Sequence, residues 1–317
     1  MKKFTLLLVT MLLVVFAAAC GGTETANTDE ATGSETAEAK TITLTHKLGE
    51  AKVEVNPKNV VVFDFGMLDS LDKLGVEVLG VPQANVPSYL SKYEDAKYEN
   101  VGSLKEPDFE KIAEIDPGLI IISGRQAEQY EELSKIAPTL YIETDAANYM
   151  ESFKGNMDLL AQIFDKQAEV DAEIAKIEEV VASLNEKATA TGATGLIVLA
   201  NEGNISAYGS KSRFGIIHDV FGLIPADENI EVSTHGQSVS FEYIVEMDPD
   251  YLFVIDRDSA VGDGAAAKEL IENELVKKTK AYENDNIVYL NPDFWYLSGG
   301  GLISVGEMAN EIEAGLK

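Results

Sequence analysis

Three residues stand apart on chemistry alone. Arg125, Arg213 and Arg257 are the only arginines among 25 basic side chains, and every other positive charge is a lysine. A guanidinium keeps its charge when desolvated and presents a planar fork of donors, which a lysine ammonium does not. Two of the three fall at the same place in a repeated unit. Residues 109–125 read FEKIAEIDPGLIIISGR and residues 241–257 read FEYIVEMDPDYLFVIDR, sharing Phe-Glu, an Ile, a Glu, Asp-Pro, an apolar run and the arginine sixteen residues after the Phe. Equal placement argues for an anion clamp between two like lobes. The alternative is three ordinary surface or ion-pair arginines.

Each copy parses as a short helix with an apolar stripe, a stop at Asp-Pro and a buried strand. Proline disfavours helix in the residue before it, so Asp116 and Asp248 end their helices. Each arginine then follows the carboxyl end of a strand, where open α/β sheets bind ligands. Around the first copy the pattern predicts a hairpin (41–45 with 53–55), strands over 60–63, 76–81 and 139–142, and a helix over 67–74 stopped by Gly75. Around the second it predicts a strand over 195–200, a loop through 208–215 that carries Arg213, and a helix over 216–221 ended by Gly222. Between them, residues 150–187 contain no proline and one glycine, Gly155, so they read as helix with a break near Asp165 as N-cap. Val170, Ile174, Ile177, Val181 and Leu184 form one apolar stripe before Gly192. About 22 residues of helix reach roughly 33 Å, enough to cross from one lobe to the next. The fold class is α/β, two Rossmann-like lobes joined by a single long backbone helix.

Residues 1–19 have Lys2 and Lys3, an apolar run and three alanines, which is the form of a secretion signal rather than of a spanning helix. Cys20 follows directly and is the chain's single cysteine, so it has no intramolecular disulfide partner and is expected to accept lipid. Plain secretion with a spare thiol is the alternative. Residues 20–40 are the lipidated Cys and a disordered tether, spanning on the order of 25 Å. An N-terminal lobe over 41–149, a helical segment over 150–190 and a C-terminal lobe over 191–317 follow. Removing the two signal lysines takes the formal charge from −29 to −31. So acidic a surface excludes nucleic acid as a partner and requires any anion site to be a local basic pocket.

Two further loops hold residues able to contact a ligand. One is 233–238, STHGQS, with His235 in polar surroundings; the other is 291–301, NPDFWYLSGGG, with Trp295, Tyr296 and a glycine run ahead of the last helix. Glycines there let a ligand approach backbone amides, or serve only to turn the chain. With these in view the whole chain resembles the substrate-binding lipoproteins of iron-siderophore ABC importers, the helical-backbone class III periplasmic binding proteins, and most of all the Gram-positive petrobactin-binding lipoproteins. The stretches that carry the likeness are VVVFDFG (60–66), VGSLKEPDFEKIAEIDP (101–117), KSRFG (211–215), STHGQSVSFEYI (233–244) and WYLSGGG (295–301).

The resemblance implies that Arg125, Arg213 and Arg257 line the inter-lobe cleft and neutralise a ferric catecholate complex. It implies that His235 and Tyr296 complete the iron coordination sphere with tetradentate catecholates and line the pocket with petrobactin. Ferric iron is a hard cation, so phenolate oxygen suits it. Trp295 and Tyr296 are expected to stack on catechol rings. Three charge-assisted hydrogen-bonding arginines contribute roughly 5 to 9 kcal/mol of the about 12 that nanomolar binding needs. The resemblance further implies that Glu110 and Glu242, one near the start of each repeated helix, dock onto arginines of the permease; otherwise they are solvated charges favoured at a helix N-terminus. It implies a monomer with no intrinsic cofactor, anchored by lipid on the extracytoplasmic face of a Gram-positive cell membrane and partnered by ABC transmembrane subunits.

Competing readings are a haem or corrinoid receptor of the same fold, a siderophore esterase and an adhesive surface lipoprotein. No G-x-S-x-G elbow follows a strand, which argues against the esterase and against an enzyme generally. His46, His218 and His235 are scattered, unlike a zinc or manganese receptor's ligands.

Overall fold

A computed structural model of the chain describes residues 40–262 and 267–317. The expected leader, Cys20 and all but the last residue of the tether lie outside the described residues. The chain enters on an antiparallel hairpin, β1 (Thr41–His46) and β2 (Gly49–Glu54), with Thr41 opposite Glu54. A parallel sheet follows: β3 (Val60–Val62), β4 (Gly80–Val81), β5 (Glu99–Asn100), β6 (Leu119–Ile122) and β7 (Thr139–Tyr141), in spatial order β5-β4-β3-β6-β7. The unbroken apolar runs of β3 and β6 are buried along their length, as strands covered on both faces must be.

The strand expected over 76–81 shrinks to β4. Gly75 takes φ +68 after the Phe65–Lys73 helix, its N–H donates to Asp72 O (3.1 Å), and Val76 N–H donates to Leu71 O (2.9 Å). This double closure spends on the helix end the donor that Val76 would need in a ladder.

The second sheet comprises β8 (Thr194–Asn201), β9 (Asn204–Tyr208), β10 (Ile224–Pro225), β11 (Gln237–Val239), β12 (Tyr251–Asp256) and β13 (Ile287–Leu290), ordered β11-β9-β8-β12-β13 with β10 paired to β8. Here β9 and β11 run antiparallel to their neighbours, whereas β8, β10, β12 and β13 are parallel. The chain expected to continue as loop beyond β8 folds straight back. Glu202 (φ +50) and Gly203 (φ +78) make the two-residue turn whose positive dihedrals match strand twist.

The repeated helices are Phe109–Ile115 and Phe241–Met247. Asp116 (φ 51) and Asp248 (φ 40) end them in the left-handed region, because the following proline disfavours right-handed helix and Asp tolerates the alternative. The connecting segment is two helices, Tyr149–Phe164 and Gln167–Thr191. Asp165 is not the N-cap of the second but the left-handed C-cap of the first (φ 53). At 25 residues the second helix reaches about 37 Å. Its stripe of Val170, Ile174, Ile177, Leu184 and Ala188 is buried, and Gly192 ends it at φ 62. The last helix, Leu302–Gly315, packs along both this helix and the Phe65–Lys73 helix. One buried apolar cluster runs from β3 and β6 through the long helix to β8 and β12, so the two sheets share a core.

Candidate functional site

Arg257 is the first residue of a short helix that Asp256 caps, its carboxylate accepting from Ser259 N (3.1 Å), Ser259 Oγ (2.6 Å) and Ala267 N (2.9 Å). So fixed, the guanidinium donates from Nη1 to Asn201 Oδ1 (2.6 Å) and from Nε to the Tyr296 hydroxyl (3.0 Å). Glu202 and Asp258 carboxylates lie 3.8 Å from the same Nη1. Both Asn201 and Glu202 belong to the β8–β9 hairpin end.

Arg213 arrives on a loop bound to its own surroundings. Ser212 Oγ donates to Gly209 O (2.5 Å), Lys211 N–H donates to Asp219 Oδ2 (2.6 Å), and the neighbouring Phe214 is buried. The guanidinium lies 4.4 Å from the Tyr296 ring centroid and 5.2 Å from that of Phe214, within cation–π range. Its Nη2 donates to the Tyr296 carbonyl at 2.6 Å. That carbonyl is available because Asp293–Ser298 is a π-turn, with Gly299 N–H bonding back five residues to Phe294 O (2.9 Å).

Tyr296 therefore sits between two guanidinium groups. Desolvation pushes its phenol up, yet the Arg257 hydrogen bond and the charges of Arg213 and Arg257 outweigh this and hold it below its ordinary value. A phenol whose oxygen already accepts from a cation gives up its proton more readily.

Arg125 follows β6 on a turn whose buried Gln126 accepts from Ser123 N–H (3.1 Å) and donates to Leu104 O. The side chain is exposed and makes no ion pair among the described residues. Its field nevertheless reaches both lobes. Burial, and next the charge of Arg125, lower the Arg213 guanidinium's hold on its proton. Arg125 also counters the desolvation that raises the carboxyl of Asp64, the N-cap of the Phe65–Lys73 helix. Arg213 and Arg257 thus meet at Tyr296, and the charge of Arg125 is felt at Arg213.

The other expected site residues divide. His235 is exposed on the turn before β11. Its neighbour Gly236 (φ +74) lies against the Tyr208 ring so closely that a methyl group there would come within 2.7 Å of it. Trp295 does not reach the ligand side. It is 3 % exposed, packed in the core, and its indole N–H donates to Glu311 Oε2 at 2.7 Å. Consecutive residues of the turn face opposite ways, and the larger apolar ring takes the inside. Two of the three glycines of the run are closed off: Gly300 abuts Thr144 and Gly301 abuts Asp69 and the Gly66 carbonyl, leaving no room even for a methyl group, whereas Gly299 has space around it.

Tyr208, the last residue of β9, lies outside the residues expected at the site. Its ring is 1 % exposed and packs edge-on against Phe214 at 4.7 Å. Its hydroxyl has no hydrogen-bond partner among the described residues. Burial raises this phenol while the Arg213 charge lowers it, so the hydroxyl lies within the same electrostatic field. The Glu-Gly turn followed by alternating Ile205, Ala207 and polar residues was the available signal. Glu110 and Glu242 are both exposed, each in the first turn of its repeated helix. Two surface hollows of about 320 Å³ beside the hairpin and about 430 Å³ along the long helix lie elsewhere and carry no arginine.

Residues 60–294 match the family model described as periplasmic binding protein. The chain belongs to that family. It is 51% identical over 321 residues, covering all of both chains, to the petrobactin-binding protein YclQ of Bacillus subtilis. The crystal structure of that protein superposes with a TM-score of 0.86 at 54% identity, covering 88% of this chain and 99% of that one. The periplasmic catecholate-siderophore binding protein VctP of Vibrio cholerae superposes with a TM-score of 0.83 at 36% identity, covering 87% and 100%. The two-sheet, long-helix architecture is thus the periplasmic binding fold of helical-backbone type.

Proposed function

We propose that this chain is the extracytoplasmic substrate-binding component of an ABC importer, and that it captures a ferric catecholate siderophore of the petrobactin type between its lobes. The observation that carries this reading is the meeting of Arg213 and Arg257 around Tyr296, with the charge of Arg125 felt at Arg213, in a chain whose formal charge is −29. A multiply anionic chelate is repelled by the surface at large and held where guanidinium groups meet. The 51% identity to a petrobactin-binding protein supplies the ligand class.

In this reading Arg257 and Arg213 hold catecholate or carboxylate oxygens from the C-terminal side and Arg125 closes on them from the other. Tyr296, kept acidic by its two arginines, offers a phenolate oxygen when the siderophore leaves iron positions open, with His235 as the second donor. Tyr208 adds a hydroxyl donor. The ferric complex is cargo rather than cofactor. Glu110 and Glu242 dock to the permease, Cys20 carries the lipid, and the protein acts as a monomer on the outer face of the membrane.

The test is titration of the purified protein with ferric petrobactin, a ferric bis-catecholate, haem and cobalamin, followed by quenching of Trp295, which neighbours Tyr296 in the π-turn. Strong quenching by the ferric catecholates, weakened in Arg257→Ala, is expected. Quenching by haem alone, with a sharp Soret band, overturns the ligand assignment, and recovery of hydrolysed siderophore overturns binding without catalysis. Tyr208→Phe keeps the packing and removes one donor, so roughly five- to tenfold weaker binding is expected from a single hydrogen bond to a charged ligand.

A further inference from the structure

The Tyr296 turn is gripped at both ends by residues from the other lobe. Ser88 donates to Asp293 Oδ2 from its backbone N–H (2.9 Å) and from its hydroxyl. The neighbouring Tyr89 ring packs on Phe294 with centroids 4.8 Å apart. At the far end the Tyr89 hydroxyl bridges Ser298 Oγ (2.7 Å) and Asp69 Oδ2 (3.0 Å). Asp69 is 0 % exposed and accepts in addition from Ser304 N–H (3.0 Å) and Ile303 N–H (3.2 Å), the free donors at the start of the last helix. First and last residues of the six-residue turn are thus tied to residues 69–89, and Tyr296 stands between them.

We propose that Tyr89, backed by Asp69 and assisted by Ser88, is a positioning group for the ligand site: it holds the π-turn from the opposite lobe so that the Tyr296 phenol and carbonyl stay between Arg213 and Arg257. Such a device matters because the turn is a single one of six residues, with i→i+5 bonds and few of them to hold it in place. The turn's own bonds leave the Tyr296 carbonyl to Arg213, so something outside must fix its ends. The buried polar groups of the clamp satisfy one another, and a hydroxyl that fails to reach its partners would leave the Asp69 carboxylate short of a donor. Tyr149 and Asp64 are the other titratable groups whose fields meet here.

This inference rests on the site reading given above, so its test has one readout that needs no ligand. Tyr89→Phe keeps the ring on Phe294 and deletes both hydroxyl bonds; Ser298→Ala removes one of them. In each variant the ionisation of Tyr296 is followed by ultraviolet difference titration against the same background carrying Tyr296→Phe, and affinity for ferric petrobactin is measured alongside. The expected result is a rise of the Tyr296 transition toward the ordinary phenol value together with roughly five- to tenfold weaker binding in Tyr89→Phe, and a smaller change of the same sign in Ser298→Ala. A folded Tyr89→Phe protein with an unmoved Tyr296 transition overturns the proposal. Failure of the unaltered protein to bind any ferric catecholate, with the titration shift present, overturns the functional reading and leaves the positioning role standing.

Discussion

The two repeat copies begin alike and end differently. Both run from a capped helix through a left-handed Asp and a proline into a buried parallel strand, and both release an arginine at the strand's carboxyl end. Beyond that point Arg257 is held by Asn201 and Tyr296, whereas Arg125 stands exposed on its turn without an ion pair among the described residues. The cause lies outside the repeat. In the C-terminal lobe the neighbouring strand β8 turns back into β9 and so brings Asn201 and Glu202 beside the arginine; in the N-terminal lobe both strands beside β6 run parallel to it, so neither turns back at Arg125. A repeated sequence therefore fixes where a charge emerges, and the neighbouring strand decides whether it is preorganised. Arg257 is fixed by its neighbours and Arg125 is not.

The sharpest way to break this contrast is to delete each arginine in turn. Arg257→Ala should weaken ferric siderophore binding about 100-fold, the upper range for a hydrogen-bonded charge, and Arg125→Ala about tenfold, both read by titration. Equal losses would remove the distinction between a prepared and an adaptable half. Lysine substitution sharpens it further. Arg257→Lys cannot serve Asn201 and Tyr296 together and should cost about tenfold, while Arg125→Lys should cost twofold or less, on the order of what a change of point-charge donor at an exposed site brings.

A separate effect should appear in stability against pH. Desolvation raises the Asp69 carboxyl to about 7, although Ser304, Ile303 and Tyr89 all donate to its ionised form. In the unfolded chain the same group titrates near 4. Across that interval the folded protein keeps a proton that the unfolded chain has lost, so stability should fall as pH rises from about 4 to about 7 and level off above. Urea midpoints at pH 4.5, 6 and 8 should show this slope in the unaltered protein and a flatter one in Asp69→Asn. An unchanged slope would mean that Asp69 does not titrate there. The smallest effect belongs to the hairpin end. Glu202 sits at φ +50, where Asn is better tolerated, so Glu202→Asn should raise stability by about 0.5 kcal/mol in a denaturant titration. Loss of affinity in that variant beyond twofold would show that the Glu202 carboxylate, 3.8 Å from Arg257, matters more than its exposure suggests.

Much of this is legible in the sequence alone. The repeat, the scarcity of arginine, the Asp-Pro stops, the apolar stripe of the long helix and its Gly192 end are local facts, each set by dihedral preference or by the period of a single element. What the chain alone misjudged were choices between neighbours. Trp295 and Tyr296 are adjacent and both aromatic, yet one is sealed in the core on Glu311 and the other lies between two cations. Gly300 and Gly301, in the run that reads as open to a ligand, are closed by Thr144 and Asp69 from more than a hundred residues away. Tyr208 was passed over because its strand exists only by pairing with β8 and β11.

By itself, then, the sequence determined which side chains carry charge and at which strand ends they emerge, since propensity and periodicity act within about twenty residues. Only the tertiary structure decided which of them are held, by what, and which side chain of a six-residue turn lies between two arginines. Those outcomes depend on partners distant in the chain, and burial rewards whichever arrangement satisfies every polar group at once.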